Sequence, residues 1–105
     1  MIALVVRFYP KEGQKQEFKN ALFDLVDTMS KESTFVNAIV HEDLAEPDVL
    51  VIYEIWRETR ESFLENQYLK GYRVPFEALV NEALHGRQIE WLIPEKELGS
   101  ELTIA

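Results

Sequence analysis

The sequence has no cysteine among its 105 residues. This absence excludes disulfide frameworks, thiolate metal sites and cysteine nucleophiles, and it suits a reducing cytoplasm, where we expect the protein to be located. Histidine is also scarce: His41 and His85 are the only two, and no ligand spacing joins them to carboxylates, so we expect no metal site. Phosphate-binding glycine loops, nucleophile elbows and dinucleotide fingerprints are missing too.

Long apolar runs and clusters of positive charge are equally absent. No stretch approaches the roughly 20 apolar residues of a membrane span. The start, Met1–Arg7, lacks the basic region and cleavage site of a signal peptide, so we expect none. With a formal net charge of -8, the chain disfavours nucleic acids and anionic membranes as partners. A neutral or aromatic small molecule, or another protein, remains as the expected partner.

The longest run of strand-forming residues is Val49-Leu50-Val51-Ile52-Tyr53-Glu54-Ile55-Trp56. Alternate side chains of a strand point to opposite faces, and here both faces are apolar, so both need cover. Glu54 is the only charge in the run and shares a face with Trp56. A carboxylate in such surroundings must be paired, hydrogen-bonded or protonated.

The remaining patterns predict further elements in the order β, α, β, β, α, β. Strands are predicted at residues 2–9, 35–42, 49–56 and 87–93, and helices at 14–31, 60–67 and about 72–84. Gly71 and Pro75 divide the second helical segment into two, and His85-Gly86 is expected to end it. By length the chain is one domain, which we place at residues 1–94, with a C-terminal tail at 95–105 whose end, Leu102-Thr103-Ile104, is strand-like.

This order predicts an α+β protein of the ferredoxin-like type, with a four-stranded antiparallel sheet and both helical segments on one face. The other face would be apolar on the third strand and half apolar on the first. An exposed surface of that kind usually marks a partner or ligand site. We therefore expect a homodimer in which a second copy packs sheet against sheet with two-fold symmetry.

Several of these segments resemble the antibiotic biosynthesis monooxygenase (ABM) domain family. The resemblance extends over about residues 1 to 94, and it depends on the strand Met1–Phe8 with Gly13 and a helix after it, His41 closing the second strand, and above all Tyr53-Glu54-Ile55-Trp56 followed by a short helix and an aromatic residue six positions after Asn66.

The resemblance implies a dimeric α/β barrel. Several family members are cofactor-independent oxygenases of polyphenols, quinols or related polycyclic aromatics. By resemblance, the protein would therefore be a cofactor-independent monooxygenase that uses O2 and a small aromatic substrate. The resemblance also implies a cavity on the sheet face opposite the helices, lined by Arg7, Trp56 and the polar face of the second strand.

The chain departs from the family pattern at two positions. Many members carry a histidine where this chain has Asn66, and often a second one where it has Gly71. The haem-degrading branch needs an asparagine on the first strand and a tryptophan and a histidine on the second helical segment. In this chain the positions that align roughly with these three are Arg7, Asn66 and Phe76. We therefore expect no haem chemistry.

Oxygenation without a metal or flavin needs a base, hydrogen bonds to the substrate oxygens and a dry aromatic cavity. We predict Glu54, His41 and Asn66 as catalytic residues: Glu54 or His41 would be the base, and Asn66 would hold a substrate oxygen. The predicted substrate-binding residues are Arg7 and the indole N–H of Trp56 as donors, with Tyr72 and Phe76, together with Tyr53 and Tyr68, as aromatic wall.

Each candidate also has a structural interpretation. Glu54 could pair with Arg7 or Arg87, and Trp56 could be a core residue. His41 could face solvent, and Asn66 could be a surface helix residue. Tyr72 and Phe76, four residues apart, could form a core pair. His85 could lie at a helix C-terminus, where it would face the helix dipole. At the level of function, the alternatives are an isomerase or lyase that uses the same cavity, or a non-catalytic ligand-binding module.

Overall fold

The computed structural model describes residues 1–99. Its elements are β1 (Ile2–Pro10), α1 (Lys15–Met29), β2 (Phe35–Glu42), β3 (Leu50–Trp56), α2 (Arg60–Asn66), α3 (Arg73–Ala83) and β4 (Leu84–Leu92). The strand-like end predicted at Leu102–Ile104 lies outside the described residues, and the domain boundary after residue 94 stays a prediction.

The four strands form one antiparallel sheet in the order β2-β3-β1-β4. β3 is an interior strand: Glu54 lies opposite Leu4 of β1 on one side and Ala38 of β2 on the other. β3 contains no glycine or proline, which fits this position, because an interior strand uses its backbone N–H groups in hydrogen bonds to both neighbouring strands. The predicted ferredoxin-like α+β fold is confirmed.

The helices cover the sheet face that carries Glu54. Leu4, Val6 and Phe8 of β1 share this face with Leu50 and Ile52 of β3, and all of them are buried. Phe18, Leu22, Leu25 and Met29 form the buried stripe of α1, at the spacing that the sequence predicts. The rings of Phe8, Phe18 and Phe76 meet with centroids 4.9 to 6.2 Å apart, so α1 and α3 both close over β1.

The opposite face of the sheet has no helix over it in the described residues. Within one chain, Val5, Ile39, Val51 and Tyr53 are partly exposed there. We call these four side chains the open face.

The turn before α1 and the start of α2 follow from local chemistry. Gly13 has a φ of +80°, a left-handed conformation that side chains rarely adopt, so glycine suits this turn. Thr59 caps α2: its hydroxyl oxygen accepts from the backbone N–H of Ser62, and the backbone N–H of Thr59 donates to the Ser62 hydroxyl oxygen. This reciprocal pair satisfies two donors that the helix itself leaves free.

The prediction that His85-Gly86 ends α3 is wrong. The chain turns directly from Ala83 into an extended Leu84, whose buried side chain begins β4. The carbonyl oxygen of Ala83 accepts a hydrogen bond from the backbone N–H of Lys11, the residue after β1. The last carbonyl of α3 is therefore hydrogen-bonded although no loop separates α3 from β4. His85 is therefore an exposed residue of the strand rather than a helix C-terminal residue.

Within residues 1–99, no helix is both long enough and apolar enough to cross a membrane. The cytoplasmic location stays a prediction.

Candidate functional site

A cavity of about 340 Å³ lies between the sheet and the helices α2 and α3. Its walls are mostly apolar, and the polar side chains that line it are Glu54, Arg60, Tyr68, Arg73, Glu77 and Arg87. A concave apolar space with a few polar groups is the usual form of a small-molecule site, and the volume falls within the usual range of roughly 300–1,000 Å³.

Glu54 is the buried acid of this cavity, with only 6% of its surface exposed. One carboxylate oxygen accepts a hydrogen bond of 2.9 Å from the indole N–H of Trp56. Neither Arg7 nor Arg87 pairs with it, although the sequence suggested both. Burial raises the pKa of Glu54, while the Trp56 hydrogen bond and the charge of Arg73 act in the other direction.

Trp56 positions this carboxylate from the core. Residues two apart in a strand share a face, so Trp56 stands beside Glu54. Its side chain is fully buried and meets Phe35 and Phe63 edge to face, with ring centroids 5.3 Å apart in both pairs. The indole N–H donates to Glu54, and Trp56 does not line the cavity. Trp56 therefore packs in the core and has no free N–H for a substrate.

A hydrogen-bonded cluster forms the side of the cavity nearest β4. Arg87 donates to Glu77 of α3 at 2.9 Å and, more weakly, to the hydroxyl of Tyr68 at 3.4 Å. These bonds join β4 to α3 and to the turn that follows α2. Glu77 also balances the charge of Arg87, which is one of the two arginines that the sequence analysis offered to Glu54.

Arg73 was missed by the sequence analysis. It is the first residue of α3, is only 7% exposed, and lines the cavity. The signal was present: Arg73, Phe76, Val80 and Ala83 follow one another at spacings of three, four and three, which is the buried stripe of a helix. A charged residue inside an apolar stripe needs a partner or a functional reason for its burial, and this is the same argument that identified Glu54 as a candidate.

The cavity lies on the sheet face that the helices cover, whereas the sequence analysis expected one on the opposite face, and the structure places Arg7 and His41 on that opposite face. Arg7 points away from the cavity because it alternates with Val6 and Phe8, which line it. On that side Arg7 forms a 2.8 Å salt bridge with Asp43 and lowers the pKa of that carboxyl group. His41 is exposed near the end of β2, opposite Val51 on the same outer side.

Two further candidates lie outside the cavity. Asn66 is exposed at the end of α2, near Glu58. Tyr72 lines a separate groove of about 330 Å³ between α1 and α3, and its buried hydroxyl has no hydrogen-bond partner in the described part of the chain. Of the predicted site residues, the structure brings only Glu54 and Phe76 together in the cavity, with Tyr68 from the predicted wall.

Among residues 1–99, no three histidine, aspartate or glutamate side chains are grouped in a way that could hold a metal ion.

The sequence matches a family model described as antibiotic biosynthesis monooxygenase over residues 1–67. A search of curated proteins finds no match.

Solved structures resemble the chain over nearly its whole length. A conserved protein from Methanosarcina mazei Go1 is 23% identical, with a TM-score of 0.80 over 90% of this chain and 92% of that one. Rv0793 from Mycobacterium tuberculosis is 20% identical, with a TM-score of 0.81 over 91% and 96%. A variant of SnoaB, a cofactor-independent oxygenase from Streptomyces nogalater, is 14% identical, with a TM-score of 0.77 over 94% and 97%. At these identities the likeness shows a shared fold.

Proposed function

The chain belongs to the antibiotic biosynthesis monooxygenase family, and from this premise we propose that it is a cofactor-independent monooxygenase of a phenolic, quinol or polycyclic aromatic small molecule. The observation that carries the proposal is Glu54, a buried carboxyl group with a raised pKa that lines an aromatic-walled cavity. SnoaB, which shares the fold, is described as a cofactor-independent oxygenase, and this supports the same chemistry here.

The proposed reaction needs no reductant besides the substrate. A phenol with a free position opposite its hydroxyl loses the hydroxyl proton to the base, and its anion passes one electron to O2. The radical pair combines to form a carbon–oxygen bond. Loss of the proton from that carbon then breaks the oxygen–oxygen bond, which leaves a quinone and one water. The substrate supplies all four electrons that O2 takes up.

In this proposal Glu54 is the base. A carboxylate whose pKa lies above its ordinary value is better matched to proton abstraction near neutral pH than an exposed one. Phe63, Phe76 and Trp91 would exclude water from the reacting carbon. Tyr68, whose hydroxyl oxygen accepts a hydrogen bond from Arg87, would donate its own proton to a substrate oxygen.

Oxygen uptake by the metal-free protein is the direct test. With a panel of anthrols and 1-naphthols whose position opposite the hydroxyl is free, we expect consumption of one O2 per substrate converted, and production of the matching quinone without hydrogen peroxide. The measurement combines an oxygen electrode with absorbance of the product. Replacing the exposed Glu65 of α2 by Gln gives a matched control that should leave uptake unchanged.

A folded protein that consumes no oxygen over the whole panel would contradict the proposal. Because a buried acid beside a cationic group also suits proton transfer on small metabolites, that result would favour an isomerase or lyase. Ligand binding without any turnover would favour a non-catalytic module.

We also propose that the protein is a homodimer that packs through its open face. Val5, Ile39, Val51 and Tyr53 present partly exposed apolar or aromatic surface there, while the other face already has its helices. A second copy related by two-fold symmetry would cover this surface and form the dimeric barrel.

Tyr53→Asp is expected to dissociate the proposed dimer. A carboxylate placed at the centre of an apolar interface loses its hydration, and we expect the dimer dissociation constant to rise by about 100-fold or more. Sedimentation velocity at micromolar concentration checks this. Val74→Asp is the matched control, since Val74 is 68% exposed on α3. A monomeric native protein at that concentration would refute the dimer.

A further inference from the structure

We propose that the cavity holds its ligand through an anionic oxygen group, a carboxylate or an ionised phenol, which binds to Arg73. The proposal rests on the proposed function to the extent that this ligand is the substrate. It narrows the expected substrate from a neutral or phenolic aromatic to one that carries a negative charge in the bound state.

The guanidinium of Arg73 is buried and incompletely bonded. Its Nε and Nη2 atoms are buried and have no hydrogen-bond partner within residues 1–99. Natural structures rarely leave buried cationic groups in this condition, because burial removes water that would otherwise bind them. Arg87 in the same cavity shows the ordinary arrangement, since it is paired with Glu77 at 2.9 Å.

Aromatic rings hold Arg73 in place without occupying its donors. The guanidinium carbon lies 5.5 Å from the ring centroid of Phe63 and 5.8 Å from that of Tyr72. Such contacts involve the charge above the ring face and leave the N–H groups at the edge of the guanidinium free. Those edge donors match the two oxygens of a carboxylate or the single oxygen of a phenolate.

Glu54 does not take the place of the missing partner. No salt bridge joins Arg73 to Glu54 in the described part of the chain, although the charge of Arg73 acts to lower the pKa of Glu54. Both side chains line the same cavity. A ligand oxygen bound to Arg73 would therefore lie within the space that Glu54 also faces.

The charges around the cavity favour an anion although the whole chain carries -8. Three arginines line it, Arg60, Arg73 and Arg87, against the two carboxyl groups of Glu54 and Glu77. The sum is three minus two, or one positive charge, and it rises to two when Glu54 is protonated. The guanidinium carbon of Arg60 lies 5.4 Å from the ring centroid of Trp91.

Anaerobic calorimetric titrations of matched ligands test the proposal. The anionic probes are 2-naphthoate for the carboxylate and 4-nitro-1-naphthol, ionised at neutral pH, for the phenolate. Their neutral counterparts are 2-naphthylmethanol and 1-nitronaphthalene. For the native protein we expect at least one anion to bind about tenfold more tightly than its counterpart, as a charge-assisted hydrogen bond would produce. The tighter pair identifies the oxygen group.

Variants then assign the preference to Arg73. Arg73→Met should remove it while leaving the affinity for the neutral probe unchanged, and Arg73→Lys should keep part of it. Arg57→Met, at an exposed position outside this cavity, is the control and should change neither affinity. If Arg73→Met does not fold, the native protein and Arg73→Lys still decide the question.

Equal affinity of the native protein for anion and counterpart, a preference that survives in Arg73→Met, or no binding of any probe would each overturn the proposal. The titrations use no oxygen, so they are independent of turnover. An Arg73-dependent preference in a protein without oxygen uptake would refute the oxygenase and leave the anion site standing.

Discussion

Glu54→Gln is expected to lower oxygen uptake by about 100-fold or more, which is the lower end of what a general base contributes. Glutamine has nearly the same shape and can still accept the hydrogen bond from Trp56, so the cavity should keep its form. It cannot take up a proton at working pH. Steady-state oxygen consumption, with Glu65→Gln as control, measures the effect. Uptake that survives in Glu54→Gln would end the assignment of Glu54 as the base.

The same substitution is expected to stabilise the protein at neutral pH. Burial raises the pKa of Glu54, so the folded state prefers the protonated acid. The stability that this group contributes is complete below the pKa of the unfolded chain and is lost as pH rises through the folded pKa. Glutamine does not ionise and avoids that loss.

Thermal unfolding at pH 7 and pH 4 measures this gain. The melting temperature of Glu54→Gln should exceed that of the native protein at pH 7 by a few degrees, because about 1 kcal/mol shifts it by roughly 4–8 °C in a domain of this size. The difference should shrink at pH 4. If Glu54→Gln loses activity but gains stability, the native glutamate is retained for its function at a cost in stability. A destabilised variant at pH 7 would mean that Arg73 stabilises the ionised acid more than burial opposes it.

Trp56→Ala is expected to have the largest effect on stability. Its ring is fully buried between Phe35 and Phe63, and truncating such a residue costs about 3–5 kcal/mol. A small domain has a total of roughly 5–15 kcal/mol, so the variant should be close to unfolding at 37 °C. Urea denaturation followed by circular dichroism gives the free energy of unfolding. A cost below about 1 kcal/mol would contradict the packing role.

Trp56→Phe separates packing from hydrogen bonding. It keeps most of the buried ring but removes the N–H that stabilises ionised Glu54, so the pKa of Glu54 should rise further. If Glu54 is the base, the pH at which oxygen uptake reaches half its maximum should rise with it. Tyr9→Phe, which removes a hydroxyl that donates to Gln88 outside the cavity, should leave that midpoint unchanged.

The local pattern of β3 was sufficient to identify Glu54 as a residue that needs an explanation. One carboxylate in eight strand-forming residues predicted both its burial and its need for a hydrogen bond. The donor is Trp56, two residues away on the same face, whereas the sequence analysis offered Arg7 or Arg87 to Glu54 and assigned the indole N–H to a substrate oxygen. Arg73 could have been identified in the same way, from its place in the apolar stripe of α3.

The boundary between α3 and β4 could not be predicted from the same kind of pattern. Helix and strand follow each other there without a turn, because the backbone of Lys11 satisfies the carbonyl of Ala83. That donor is more than 70 positions away in the sequence, so no local signal near His85 and Gly86 announces it.

The sequence by itself determined the order of the elements, the antiparallel ferredoxin-like arrangement and the buried acid, because each of these follows from a periodicity of two or 3.6 residues within one segment. Only the tertiary structure decided which face of the sheet the helices cover. Both faces of β3 are apolar, so alternation sorts Arg7 and Glu54 onto opposite sides without saying which side is closed. Packing of α1, α2 and α3 over the Glu54 face placed the cavity there, with Arg73 beside it, and left Arg7 and His41 outside.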